Sequence, residues 1–196
     1  MPRPALGPVL RLLLAGALAT LSACVTVVGT LKADGSGTLE ITYPVLPTTT
    51  ERLEKRRFAS PQITLDSLDI HEDGTATAKV HFDDPAKIPT AEMFHNVGIE
   101  RHRDDADERI TVTVTNLVTK EMKDEGKPGP KITFVLPGKV LEANRNATVD
   151  GDRVTWQFAF ADFVRQKTVD LSVRYAVATA EHAAPPAGEQ PSKPAS

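Results

Sequence analysis

Cysteine is almost missing from this sequence, because Cys24 is the only one among 196 residues. A chain with a single cysteine forms no internal disulfide, so packing alone has to stabilise the fold. Aromatic residues are also sparse at 5%, and the formal net charge is only -3. A mildly acidic chain lacks the excess of basic residues that binds nucleic acid, and it lacks a polybasic segment that binds anionic lipid. These absences exclude a disulfide scaffold and a nucleic-acid-binding protein.

The sequence also lacks an apolar run long enough to span a bilayer. Its longest run, from Leu12 to Leu21, has about ten residues, whereas a spanning helix needs about 20. Arg3 and Arg11 precede this run and small residues follow it, which is the layout of an export signal. We therefore predict a lipoprotein signal peptide over residues 1–23.

The end of this segment reads LSAC, which resembles the bacterial lipobox. Leu21, Ser22 and Ala23 fit the processing sites, and the thiol of Cys24 is the nucleophile that takes a diacylglycerol as a thioether. The alternative is a soluble secreted protein that is cleaved at an A-x-A-like site, with Cys24 incidental. Because the only cysteine falls where the motif requires one, we favour lipidation of Cys24.

A lipid on Cys24 sets the expected location of the protein. Two acyl chains form a durable anchor, so no second membrane element is needed. Val25 replaces the aspartate that favours inner-membrane retention in the enteric sorting signals. We therefore expect a bacterial cell-envelope lipoprotein, anchored in the outer membrane and facing the periplasm if the host has two membranes.

Alternating apolar and polar residues predict β-hairpins along most of the mature chain. The turn sequence DGSG at 34–37 joins two alternating segments, and further alternation follows at 75–82, 109–115 and 169–175. This pattern predicts an α+β domain over residues 24–177, with a mostly antiparallel, curved sheet and one or two helices packed on it. The Ala/Pro-rich segment 178–196 has almost no apolar bulk, and we predict that it is disordered.

Charged residues 51–58 predict a surface helix with two inward anchors, Leu53 and Phe58. The basic cluster at 55–57 contacts lipid phosphates or an acidic partner in one interpretation. In the other, which we favour, it is a solvated face paired with Glu51 and Glu54 at helical spacing.

The next segment predicts a strand with an irregularity. Ile63 and Leu65 are in one phase and Leu68 is in the other, so we expect a β-bulge near Ser67.

The heaviest apolar face of the sequence follows an Asp-Gly turn at 150–151. We predict that this strand continues through residue 160. Its aromatic residues, together with two from earlier segments, are candidates to line a ligand cleft: Phe94, Phe134, Trp156, Phe158 and Phe160. The simpler interpretation, which we favour, is that they fill the core.

One stretch within this region resembles a known family. Residues 133–158, TFVLPGKVLEANRNATVDGDRVTWQF, combine an aromatic strand, Pro-Gly, an asparagine, a DG turn and a Val-Thr-Trp strand. This pattern, with a lipobox followed at once by a hairpin, is similar to the LppM-like bacterial lipoproteins. The resemblance implies an exported, lipid-anchored α+β domain associated with a lipid or glycolipid.

Catalytic patterns are absent from the sequence. His71, His81, His95 and His102 have no His-x₃-His spacing, and there is no nucleophile elbow or phosphate-binding glycine loop. The acidic loop 104–108 offers carboxylates to calcium, but it lacks the glycine-centred spacing of an EF-hand, so we favour a solvated hairpin tip. We therefore predict no enzyme activity, no catalytic or metal-ligating residue and no cofactor.

Two functions remain after these exclusions. The first is a binding domain, in which an apolar cleft between sheet and helices holds a lipid or another amphiphile close to the membrane. The second is a structural or protein-interaction role in the envelope with no small ligand, in which threonine-rich faces such as 111–115 contact an envelope protein.

Overall fold

The computed structural model describes residues 25–104, 106–117 and 126–177. The predicted signal peptide, Cys24 and the predicted disordered tail lie outside these described residues. Within them the chain is mostly strand with few, short helices, which confirms the predicted α+β class.

The described strands and helices alternate along the chain as hairpins with short helical insertions. The strands are β1 Thr26–Leu31, β2 Gly37–Pro44, β3 Ile63–Ile70, β4 Thr75–Phe82, β5 Val97–Arg103, β6 Asp107–Thr115, β7 Pro128–Val135, β8 Val140–Ala143, β9 Thr148–Asp150, β10 Arg153–Ala159 and β11 Thr168–Ala176. The helices are α1 Glu51–Arg57 and α2 Phe160–Arg165, and the 3₁₀ helices are Pro85–Thr90 and Glu92–Phe94.

The strands form two sheets that share one hydrophobic core. The large sheet has the order β3-β4-β2-β1-β7-β10-β9, and the small sheet has the order β5-β6-β11-β8. Neighbouring strands are antiparallel except β1 and β7, which are parallel. The predicted cleft lay between a sheet and helices, whereas the second sheet supplies most of the cover in the structure.

Local turn chemistry produces the hairpins where the sequence predicts them. Between β1 and β2, the Asp34 carboxylate accepts hydrogen bonds from the backbone N–H and the hydroxyl of Ser36, while Gly35 has a φ of 90°. Gly151 similarly has a φ of 62° between β9 and β10. Both positions need a backbone conformation that glycine adopts without strain.

The predicted bulge in β3 is confirmed. Leu65 pairs with Val80 and Ser67 pairs with the next residue of β4, Lys79, so Asp66 is the extra residue. The insertion resolves the conflict of phase between the two halves of β3.

Helix α1 differs from its prediction in the residue that it buries. Thr50 caps the helix by accepting a hydrogen bond from the N–H of Leu53, and Phe58 is buried as predicted. Leu53, however, is exposed, and the buried position on α1 belongs to Glu54. The carboxylate tolerates burial because the Tyr43 hydroxyl donates to it at 2.8 Å and Arg57 Nη1 donates at 3.0 Å.

The predicted strand through residue 160 is also corrected. β10 ends at Ala159, and Phe160 begins helix α2, where its side chain is buried. Helix α2 carries the chain from β10 of the large sheet to β11 of the small sheet, a connection that no local pattern in the sequence indicates.

The direction of β1 defines two ends of the molecule. The Thr26 end holds the start of β1 and β7 and the end of β2 and β3. Since α2 links the end of β10 to the start of β11, Thr168 and its partner Thr115 lie at this end too. The opposite Gly35 end holds the β1–β2 turn, where Arg101 of β5 lies against Gly35.

Candidate functional site

A cavity of about 130 Å³ lies between the two sheets. Almost no polar atom faces it, so it is suited to an apolar group. Its walls come from both sheets and from the two 3₁₀ helices: Val27, Gly29, Thr30, Leu31, Leu39, Phe82, Pro85, Ile88, Phe94, Val97, Ile99, Ile110, Val112, Val114, Ile132, Phe134 and Leu136.

The large-sheet wall owes its shape to a glycine opposite an aromatic ring. In the parallel pair of β1 and β7, Gly29 is the register partner of Phe134. A Cβ at Gly29 would lie 2.6 Å from the Phe134 ring, so the missing side chain provides the space that the ring occupies. The ring in turn forms part of the cavity wall.

The small-sheet wall is built from aligned aliphatic pairs. Val97 pairs with Val114, and Ile99 pairs with Val112, so these four side chains project from the same face of β5 and β6. Ile88 and Phe94 of the 3₁₀ helices add to the lining between β4 and β5.

Polar side chains occupy the core boundary at the Gly35 end. Glu108 is buried, and Arg101 Nε donates a short hydrogen bond to its carboxylate. The hydroxyl of Tyr175 is buried nearby and has no hydrogen-bond partner among the described residues. Burial, followed by the proximity of Glu108, raises the pKa of Tyr175. This charged cluster makes the Gly35 end unfavourable for an apolar ligand.

The cavity lining is partly exposed at the Thr26 end. Val27, Val97 and Val114 line the cavity but are only half-buried, and all three lie at the Thr26 ends of their strands. The lining therefore has a partly exposed edge at the end where the described chain begins.

The structure divides the predicted aromatic residues between cavity and core. Phe94 and Phe134 line the cavity, whereas Trp156, Phe158 and Phe160 do not. The Trp156 ring contacts the Phe134 ring edge to face, with centroids 5.9 Å apart, and its Nε1 donates to the carbonyl of Asn144 at 2.9 Å. Trp156 is thus one ring away from the cavity.

The aliphatic lining residues were not predicted as site residues. Sequence alternation predicts that Ile110, Val112 and Val114 point inward, and they do. Sequence alternation does not indicate that the side chains opposite these three residues leave a cavity, because the unfilled volume depends on the distance between the two sheets.

The polar residues considered for catalysis or metal binding are dispersed or paired. The described residues contain no group of three or more His, Cys, Asp or Glu side chains placed to hold a metal ion. In the acidic loop, Asp107 accepts a hydrogen bond from Arg174 at 2.8 Å and Glu108 pairs with Arg101, so neither matches the predicted solvated tip. Asp105 lies outside the described residues.

The second buried carboxylate is that of Glu54, on the inner face of α1. Burial and the adjacent Glu54 carboxylate raise the pKa of Tyr43, whose hydroxyl donates to Glu54. Arg57 forms an ion pair with the same carboxylate, and together these contacts hold α1 on the sheet. We therefore assign this pair a structural role.

Among the described residues, no helix combines the length and hydropathy that crossing a bilayer requires. Comparison with family models, with curated proteins and with solved structures gives no match for this chain.

Proposed function

We propose that this chain is a lipid-anchored protein of the bacterial cell envelope whose domain binds an acyl chain of a lipid or other amphiphile close to the membrane. The observation that carries the proposal is the apolar cavity between the sheets, whose lining is partly exposed at the Thr26 end. The lipobox at residues 21–24 and the resemblance of residues 133–158 to LppM-like lipoproteins support the same conclusion.

The size of the cavity limits the ligand. A dry apolar cavity of about 150 Å³ accommodates a molecule such as benzene. A cavity of about 130 Å³ therefore accepts a short segment of one acyl chain, while the rest of the ligand stays outside. Among the described residues, the cavity lining contains no buried nucleophile and no acid–base pair, so we assign binding.

The single tryptophan provides the test. Trp156 lies against Phe134 at the cavity wall, so a fatty acid brominated near its methyl end should quench Trp156 fluorescence when it binds to the full chain. Val112→Phe places a ring in the cavity, and we expect it to weaken binding at least about tenfold. Leu68→Phe is the matched control, since Leu68 is half-buried in the same core but outside the cavity lining.

Each outcome of this titration is informative. Saturable quenching that Val112→Phe removes and Leu68→Phe retains supports the binding function. Equal quenching in both variants, or none in the unmodified chain, contradicts it. Circular dichroism of each variant checks that the fold is retained.

A protein-interaction role without a ligand is the second candidate. It is favoured by the threonines of β6, which lie on the face of the small sheet opposite the cavity, with Thr113 Oγ1 donating to Asp170 at 2.8 Å. Native mass spectrometry of the purified chain separates the two candidates, because co-purified lipid supports binding. A ligand-free mass together with a reproducible crosslinked partner supports interaction.

A further inference from the structure

Exposed apolar side chains are concentrated at the Thr26 end. Of the six large ones among the described residues, Leu46, Ile70 and Leu117 lie at or just beyond strand termini at this end, and they are 45%, 39% and 58% exposed. Leu53, 51% exposed, lies in the first turn of α1, directly after the loop that contains Leu46. We call these four leucine and isoleucine side chains the apical surface.

Hydrogen bonds hold the apical residues in place. The N–H of Val45 donates to the carbonyl of Gly74 at 2.8 Å, which places Leu46 beside the β3–β4 turn and near Ile70. The side-chain amide of Asn116 donates to the carbonyl of Phe163 at 2.8 Å, which fixes the chain next to Leu117 against α2. These bonds hold the backbone on either side of the apical surface, at the same end as the half-buried lining residue Val114.

We propose that the apical surface docks onto a lipid bilayer, with the partly exposed cavity lining at the Thr26 end facing the lipid. The chain itself indicates this occupant. Residues 1–24, which contain the apolar run and the predicted lipid site, join the domain at Val25, at the same end. Four apolar side chains around the point of attachment gain by leaving water for the interfacial region.

Charge on α1 supports a lipid partner. Arg52 and Arg56 are exposed, and no ion pair or hydrogen bond with another described residue holds either guanidinium group. Lys55, in contrast, pairs with Glu51 at 2.6 Å. Two unpaired cations beside Leu53 suit anionic headgroups, whereas the exposed Glu72 and Asp73 beside Ile70 oppose them. Since the chain as a whole is acidic, the apolar contacts dominate and salt should weaken docking only modestly.

The role that we assign to docking rests on the proposed function, because a cavity that faces the bilayer can receive an acyl chain that does not cross water. The contact itself is separable. It is tested with the full chain in a Cys24→Ala background, added to vesicles of phosphatidylcholine and phosphatidylglycerol, so that an introduced cysteine is the only thiol that accepts a polarity-sensitive dye.

Two probe positions distinguish the ends of the domain. Thr48→Cys lies in the exposed loop next to Leu46, and Ala33→Cys lies in the exposed turn at the Gly35 end. We expect lipids brominated on their acyl chains to quench the dye at residue 48 and not the dye at residue 33. Quenching by these lipids requires penetration, so a domain that is merely tethered at residue 25 does not produce it.

A matched pair of double variants completes the test. Leu46→Asp with Leu53→Asp should reduce quenching at residue 48 to the level at residue 33. Leu141→Asp with Val149→Asp should leave it unchanged, because these two side chains are similarly exposed but lie on β8 and β9.

Three results would overturn the docking proposal. They are equal quenching at residues 48 and 33, quenching that survives the Leu46 and Leu53 changes, and a dye at residue 48 that is shielded from aqueous quenchers without being reached by the brominated lipid. The last result means that protein, such as a second copy of the chain, covers the surface. Failure of Trp156 quenching by fatty acid would instead contradict the cavity function while leaving docking intact.

Discussion

Two buried tyrosines lie beside buried glutamates, and their environments differ at a single hydrogen bond. Tyr43 donates to Glu54 at 2.8 Å, whereas the hydroxyl of Tyr175, close to Glu108, has no partner among the described residues. A buried polar group that lacks a partner costs free energy, while a satisfied one contributes. Both glutamates belong to segments, a charged helix and an acidic loop, that the sequence predicts to be solvent-exposed, so neither tyrosine–glutamate pair was predictable from local pattern.

Removing each hydroxyl should therefore have opposite effects. We expect Tyr43→Phe to lower the free energy of unfolding by about 2 kcal/mol, since a hydrogen bond to a buried charge is lost. Tyr175→Phe should leave it unchanged or raise it by about 1 kcal/mol. Urea denaturation of the full chain followed by Trp156 fluorescence measures both, and a larger loss for Tyr175→Phe than for Tyr43→Phe would contradict the assignment.

Both tyrosines also predict a loss of stability at alkaline pH. Burial raises their pKa values in the folded state, so the folded protein favours the neutral phenol. That contribution is complete below the unfolded-state pKa of about 10 and is lost as the pH rises toward the folded value, by about 1.4 kcal/mol per pH unit for each tyrosine. Tyr175→Phe should remove one of these two contributions. Urea midpoints between about pH 8 and pH 11 test this, and identical slopes for the variant and the parent chain would refute it.

At the scale of elements, the hairpins and the β3 bulge were predictable because their causes are local. Alternation assigns a face to each residue, and turn glycines with positive φ follow β1, β3 and β9. Leu53 and Phe160 were misassigned for the opposite reason. Glu54, and not Leu53, is buried on the inner face of α1, where its carboxylate accepts a hydrogen bond from Tyr43. Phe160 begins a helix that packs near Gly129 of β7. Those partners are distant in sequence.

Gly138, between β7 and β8, lies so close to the end of β11 that no side chain fits there. A Cβ there would overlap the backbone carbonyl of Ala176 at the end of β11. We expect Gly138→Ala to destabilise the full chain by about 2 kcal/mol or more. Gly98→Ala is the matched control, because a Cβ at Gly98 meets only ordinary contacts, and we expect a gain of about 0.5 kcal/mol. Thermal unfolding compares the two, and a similar loss in both would show that the close approach is unimportant.

For the whole molecule, the cavity lining runs between the Thr26 and Gly35 ends, and the predicted lipid site directly precedes Val25 in the sequence. The anchor prediction concerns Cys24, outside the described residues, and it has its own test. Cys24→Ala should abolish metabolic labelling with fatty acid and remove the chain from the membrane fraction, because no other thiol is present to carry a diacylglycerol. Ser22→Ala, which keeps a small residue at the processing site, is the control and should retain the label. A labelled Cys24→Ala chain would refute the anchor.

The sequence by itself determined the β1–β2 hairpin, the bulge in β3 and the inward faces of β4, β6 and β11, since each follows from the chemistry of residues within a few positions. Only the tertiary structure decided that a second sheet covers the first, that Gly29 and Phe134 shape a cavity between them, and that part of its lining is exposed at the Thr26 end. The physical reason is that a cavity is volume left between side chains from strands distant in sequence. Periodicity indicates which residues point inward, and it contains no information on how completely they fill the space where they meet.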